Sequence, residues 1–230
     1  AAAAVRERLS QEHWNVIVHA EQEFFRRCAE QAGEGDYSSL EAVRVLEAAS
    51  GHMATITGAQ TDRMTRDDGW RLLSIGRNLE RLGFLASALA EGFESGSVHS
   101  AGGFEALLSL FDSTITFHSQ YQQSRDVAAL LDLLVLDRDN PRSLGWVAQT
   151  IRGRLDKLSS RAGGITRQAI TIPDPANWEL TAICTQDDEG HYALLQGLLA
   201  ECTNSAYQVS DAVSAHYFTH SGDSKLSLGA

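Results

Sequence analysis

Along this chain, apolar residues recur every three or four positions in successive segments, the interval that gathers them on one side of an α-helix. The pattern is most marked in MTRDDGWRLLSIGRNLERL at 64–82. There Leu72, Ile75, Leu79, Leu82 and Ala86 share one face, and Asp67, Arg71, Ser74, Asn78 and Arg81 gather opposite. Thr65, followed three positions later by Asp68, predicts the N-cap; Asp67 and Asp68 fall in the first turn, where free N–H groups and the helix dipole favour negative charge. This helix is expected to reach Ala90. A second stripe, Trp70, Leu73, Arg77, Glu80 and Phe84, mixes charge with apolar side chains. Charges in such company must be paired or bind something. Two readings follow: an ion pair that snorkels to the surface, or a ligand or partner site built on Arg77 and Glu80. Under either, both side chains are expected to be at least partly buried.

The same reading divides the rest of the chain. Ser10 caps a helix with Trp14, Ile17, Val18, Phe25 and Cys28 on its apolar side, and GEGDYSS at 33–39 ends it. Ser38 with Glu41 forms a capping box opening a helix to residue 62, on which Val43, Leu46, Met53 and Ile56 recur; His52 within it reads as a packed or surface histidine. EGFESGSVHSAGG at 91–103 predicts a loop long enough for mobility or a lid. One long helix from Phe104 carries Leu107, Leu108, Phe111, Ile115 and Tyr121. VAALLDLLVL at 127–136 is apolar nearly all round, which predicts a central, buried helix. Asn140 as N-cap and Pro141 at the first helical position open a helix to residue 158, with Leu144, Val147, Ile151, Leu155 and Leu158 inward. Residues 159–190 read as an irregular connection with a short helix near Trp178. A last helix, 191–218, buries Leu195, Leu198, Cys202, Ala206, Val209 and Val213. The expectation is an all-α array of about six to eight helices without significant β-sheet, in which 66–88 and 141–158 are each continuous. IRGRL at 151–155 echoes VRERL at 5–9, which hints at two related helical halves.

Composition narrows the classes. Three prolines in 230 residues suit helices better than a sandwich or barrel, and the length suffices for a core without staples. A formal charge of −11 disfavours nucleic acid and anionic membranes and favours a cationic protein surface as partner. Cys28, Cys184 and Cys202 are odd in number and lack metal-type spacing, which points to a reducing cytoplasm. No apolar run approaches the ~18 residues of a membrane span. The four alanines at the start make a native N-terminus doubtful.

Catalytic signatures are sparse. There is no G-x-S-x-G, no phosphate-cradling glycine loop and no cysteine beside an obvious base. His216 and His220 have the i, i+4 spacing of metal ligands but lack the glutamate of H-E-x-x-H, so they are weak candidates. Arg66, Asp67, Asp68 and Arg71 form a charged cluster that capping and solvated ion pairs would also explain, and Asn140 and Arg142 would be explained equally by a cap and a surface charge.

MTRDDGWRLLSIGRNLER at 64–81, FDSTITF at 111–117 and LDRDNPRSL at 136–144, in that order, resemble the bacterial alpha-E domain, an all-helical module fused to or encoded beside circularly permuted ATP-grasp amide ligases. The resemblance covers residues 5 to 220. It implies a single helical domain over 1–230 and an accessory role, in which the domain helps a peptide or amide ligase bind or orient its peptide or amino-acid substrate. ATP and magnesium would reside on the ligase and no cofactor on this chain. Substrate or partner binding would fall to Arg66, Asp67, Trp70, Arg71, Arg77, Glu80, Asn140 and Arg142. Two alternatives stay open: an enzyme acting on the ligase product, with Glu80 or Asp68 as acid or base and Arg77 holding a carboxylate, and a purely structural interaction module. The resemblance also implies an upstream G-R-x-x-E-R helix like 76–81 here, followed by an Asp-Asn-Pro helix start; both are missing from this chain, which is therefore expected to be the C-terminal, larger part of the domain.

Overall fold

Short polar side chains set where the helices begin. Ser10 Oγ accepts the N–H of His13 at 3.1 Å, and α1 (Gln11–Ala32) follows. Ser38 stands at the N-cap of α2 (Ser39–Arg63), as expected, though without a side-chain cap bond. At α3 (Asp68–Glu94) the cap is displaced from its predicted place: Asp67 Oδ1 accepts the N–H of Trp70 at 2.9 Å, which puts the cap at Asp67 and leaves Thr65 outside. Asp67→Ala is therefore expected to lower stability by about 1 kcal/mol while Thr65→Ala has little effect. Thermal unfolding of both variants decides it; equal losses would restore Thr65 as the cap.

The computed structural model describes residues 6, 9–32, 38–122, 125–160, 163–166 and 171–218. Beyond α3 come α4 (Ala101–Leu110), α5 (Thr114–Tyr121), α6 (Val127–Leu131), α7 (Leu144–Ser159), α8 (Leu180–Ile183) and α9 (Ala193–Tyr217). The nine helices among the described residues exceed the expected number because the long helix from Phe104 is two helices; the short helix expected near Trp178 is the four-residue α8, and no strand occurs among the described residues. The chain divides into two compact units, Ala1–Trp70 and Arg71–Ala230. Of the repeat VRERL, only Arg6 and Leu9 are among the described residues.

In the first unit α1 and α2 pack on each other as a helical hairpin. The packed row of α2 is Val45, Ala49, His52 and Ile56, whereas Val43, Leu46 and Met53 of the predicted stripe are exposed, as is Phe25 of α1. In that row Val45 is buried and Ala49, His52 and Ile56 are half-buried, so larger side chains facing outward misled the periodicity. The rings of His19 and His52 meet edge to face at 5.5 Å. His13 is buried, and loss of hydration together with the nearby Arg63 lowers its pKa.

In the second unit the core is continuous. Leu130, Leu131, Leu133, Leu134 and Val135 are wholly buried, confirming 127–136 as its centre, and α3, α4, α7 and α9 contribute Leu82, Leu108, Ile151 and Leu199 around them. α9 runs antiparallel to α3: Gln196 Nε2 donates to Ala90 O at 3.1 Å, Ser87 Oγ lies 3.5 Å from Thr203 Oγ1, and Gly83 approaches Ala206. The predicted loop at 91–103 is mostly helix. α3 continues to Glu94, a 3₁₀ turn spans Ser97–His99, and Ser100 Oγ accepts the N–H of Gly103 to start α4.

The helix from Phe104 breaks at Asp112, whose φ is 48°. The break resets the helical phase, so Phe117 is buried while Ile115, expected in the core, is 87% exposed. After α6 the backbone widens into a π turn, Asp132–Leu136, in which Asp137 N–H bonds Asp132 O at 2.9 Å. The predicted start of α7 is also corrected. Its N-cap is Ser143, whose Oγ accepts the N–H of Trp146 at 3.0 Å, and Asn140 is used elsewhere. The connection after α7 is tied down by Arg152, which donates to Ile172 O and pairs with Asp174 at 2.6 Å.

Candidate functional site

Three segments of the second unit, each from one of the sequence motifs, converge on a cluster of charge. The first is the solvent side of α3, where Arg77 and Arg81 lie one turn apart. The stripe that mixed charge with apolar residues is in fact an outer edge of the helix: Arg77, Glu80 and Phe84 are exposed, while Ser74 and Asn78 of the supposed polar face are buried. Asn78 explains the reversal, since its Nδ2 donates to Ser74 O at 2.7 Å and so satisfies a polar group inside the core. The expected burial of Arg77 and Glu80 is thereby overturned.

The second segment is the turn between α4 and α5. Ser113 is fully buried, its N–H bonding Leu108 O and its Oγ donating to Phe111 O, which leaves Asp112 projecting in a left-handed conformation. The third is 137–143. Asp137 Oδ1 accepts the N–H groups of Asp139 at 2.8 Å and Asn140 at 3.1 Å. Asn140 is buried: its Nδ2 donates to Leu133 O at 3.2 Å, inside the π turn, and its Oδ1 accepts the N–H of Arg142 at 3.1 Å. Ser143 Oγ donates to Asp137 O. This lattice holds Arg142 so that its Nε lies 3.2 Å from Asp112 Oδ2.

Arg81 completes the group. It is exposed at the surface yet loses hydration along part of its side chain, and that desolvation, followed by the positive charges of Arg77 and Arg142, pulls its pKa below the ordinary arginine value; Asp112 acts in the opposite sense. Arg81 has no hydrogen-bond or ion-pair partner among the described residues. Arg81 thus senses the guanidiniums of Arg77 and Arg142 and the carboxylate of Asp112, which Arg142 already engages. In a chain of net charge −11, the guanidinium of Arg81 beside two others of like charge is placed to take an added anion, and guanidinium forks match carboxylate or phosphate oxygens.

The remaining candidates fall elsewhere. Arg66 stacks on the ring of Trp70 at 4.1 Å, and Asp67 caps α3. Asp68 opens α3, and Arg71 is half-buried with a partner. His216 Nε2 lies 2.9 Å from Gly163 O, while His220 lies outside the described residues, among which no group of three or more metal-ligating side chains occurs. Burial pushes the Cys202 thiol up to about 12 and also raises Cys184, so neither is a ready nucleophile at neutral pH. Arg81 and Asp112 were missed as site residues. The signal for both lay in the motifs themselves, 64–81 and 111–117, which name positions without saying which side chains meet.

A family model described as "a predicted alpha-helical domain with a conserved ER motif", Alpha-E, matches residues 1–218. Two Glu-Arg dipeptides occur here, Glu7-Arg8, outside the described residues, and Glu80-Arg81 on α3. Proteins of Mycobacterium bovis and of two Mycobacterium tuberculosis strains, each named as uncharacterized, are 30% identical over 227 residues, covering 94% of this chain and 25% of their own length. The chain therefore spans about a quarter of these curated relatives. No solved structure matches it.

Proposed function

We propose that this chain, which belongs to the Alpha-E family of alpha-helical domains, is an accessory domain that uses Arg77, Arg81 and Arg142 to hold an anionic group, a carboxylate above all, on the substrate of a peptide or amide ligase. The observation behind this reading is that the guanidinium of Arg81 lies beside those of Arg77 and Arg142, with Asp112 the carboxylate that Arg142 engages. An amide ligase of the ATP-grasp type activates one carboxyl and must keep others in place. A guanidinium cluster does the second task, leaving ATP, magnesium and the acyl-phosphate chemistry to the partner. Association with that partner, in cis or in trans, would set the acidic bulk of this chain against a basic face and weaken at high salt.

The test measures ATP-dependent amide formation by a circularly permuted ATP-grasp ligase with and without this chain, using charge-neutralised variants at Arg71, Arg77, Glu80, Arg81 and Arg142. Arg81→Gln and Arg142→Gln are expected to raise the apparent KM for a carboxylate-bearing substrate by about tenfold or more, the loss of about one charged hydrogen-bonded contact. Activity indifferent to the domain and to the substitutions refutes the reading.

A further inference from the structure

The second unit has a cavity of about 590 Å³ where the end of α3 meets the start of α9, and nothing in the proposed function uses it. Its wall is aromatic. Tyr192 meets the ring of Phe93 edge to face at 5.0 Å and lies nearly parallel to His99 at 6.2 Å. The geometry is fixed from both sides: Gly96 and Gly190, both lining residues, turn the chain with φ of 68° and 85°. Gln196, also in the lining, is anchored to α3 through Ala90 O. In the turn that leads to Tyr192, Asp187 Oδ1 accepts the backbone N–H groups of Glu189 and His191, so this aromatic surface is prearranged.

Charge decides what such a cavity takes. Its lining comes from two stretches, 82–124 and 168–224, that contain acidic residues and no lysine or arginine. Glu94 belongs to the lining, Glu91 lies one turn earlier, and Asp187, Asp188 and Glu189 precede His191. The C-terminal end of the 27-residue α3, with its partial negative charge, opens at the same place. An anion is repelled there, whereas an organic cation gains the carboxylate, the helix end and the face of Tyr192 together. We infer that this cavity binds an organic ammonium group, such as a lysine-type side chain or an alkyl amine. The site is distinct from the arginine cluster, whose Arg77 and Arg81 lie on α3 more than three turns before it.

The experiment titrates the ¹⁵N-labelled chain at about pH 8, above the usual histidine range, with α-N-acetyl-lysine methylamide and with its uncharged isostere, α-N-acetyl-norleucine methylamide. Saturable amide shifts are expected at Gly96, His99 and Tyr192 with the lysine probe, and affinity at least about tenfold lower for norleucine. Glu94→Gln and Tyr192→Leu, the second keeping apolar bulk for folding, should each weaken the lysine probe several-fold, while Arg81→Gln should not. Equal affinity for the two probes, no saturation, or loss of binding in Arg81→Gln each overturns the inference.

Discussion

Replacing Gly103 with alanine is expected to destabilise the protein by roughly 2–4 kcal/mol, although alanine in a helix ordinarily gains about 1 kcal/mol over glycine. A Cβ at this position would lie 2.1 Å from the carbonyl oxygen of Ser97 and 2.6 Å from its carbon. Both are backbone atoms, so no side-chain rotation relieves the clash, and α4 would have to part from the 3₁₀ turn before it. The neighbouring Gly102 supplies the control, because a Cβ there meets nothing within 4 Å. Gly102→Ala should leave stability unchanged or raise it. Denaturant midpoints for the pair test the contact directly; two variants of equal stability would mean that the turn and α4 are not held together as described.

Asn140→Asp is expected to be costly, at about 2–3 kcal/mol, and to weaken anion binding at the arginine cluster as well. Were Asn140 the N-cap of α7, aspartate would serve as well as asparagine and the change would be nearly neutral. In the structure, however, its Nδ2 is a buried donor to Leu133 O, and a carboxylate would place a second acceptor, carrying charge, against that carbonyl. Asn140→Ala should cost a similar amount by orphaning both the Leu133 carbonyl and the Arg142 N–H. Urea unfolding, followed by titration with a carboxylate ligand, separates the two readings. A neutral aspartate variant would restore the cap.

What the sequence made legible was whatever helical period alone controls. α3, α7 and α9 begin and end near their expected residues, and the buried stretch 127–136 is the core centre because a helix apolar all round has nowhere else to go. The errors came where a single residue resets phase or where a polar side chain is satisfied inside. Asp112 breaks a helix that apolar spacing alone joins, which turned Ile115 outward. Asn78 and Asn140 sit in the core by bonding main-chain carbonyls, and composition counts both as polar and therefore external. The candidate site was half legible. Arg77 and Arg142 stood out in the motifs, but their meeting with Arg81 and Asp112 depends on turns that no periodicity encodes.

The widened turn at Asp132–Leu136 makes the chain length itself part of that site. A π turn carries one residue more than the α-helical path it replaces, and Asn140 reaches back into it from Arg142's own segment. Deleting any one of those five positions would let the backbone relax to ordinary helical winding and rotate the downstream segment by about 100° about the axis. The lost register would carry Arg142 away from Asp112 even with every side chain intact. The distance along the chain from Leu131 to Ser143 is thus as strict a requirement as the identity of any residue within it, one that substitution experiments are blind to and that only insertions and deletions can expose.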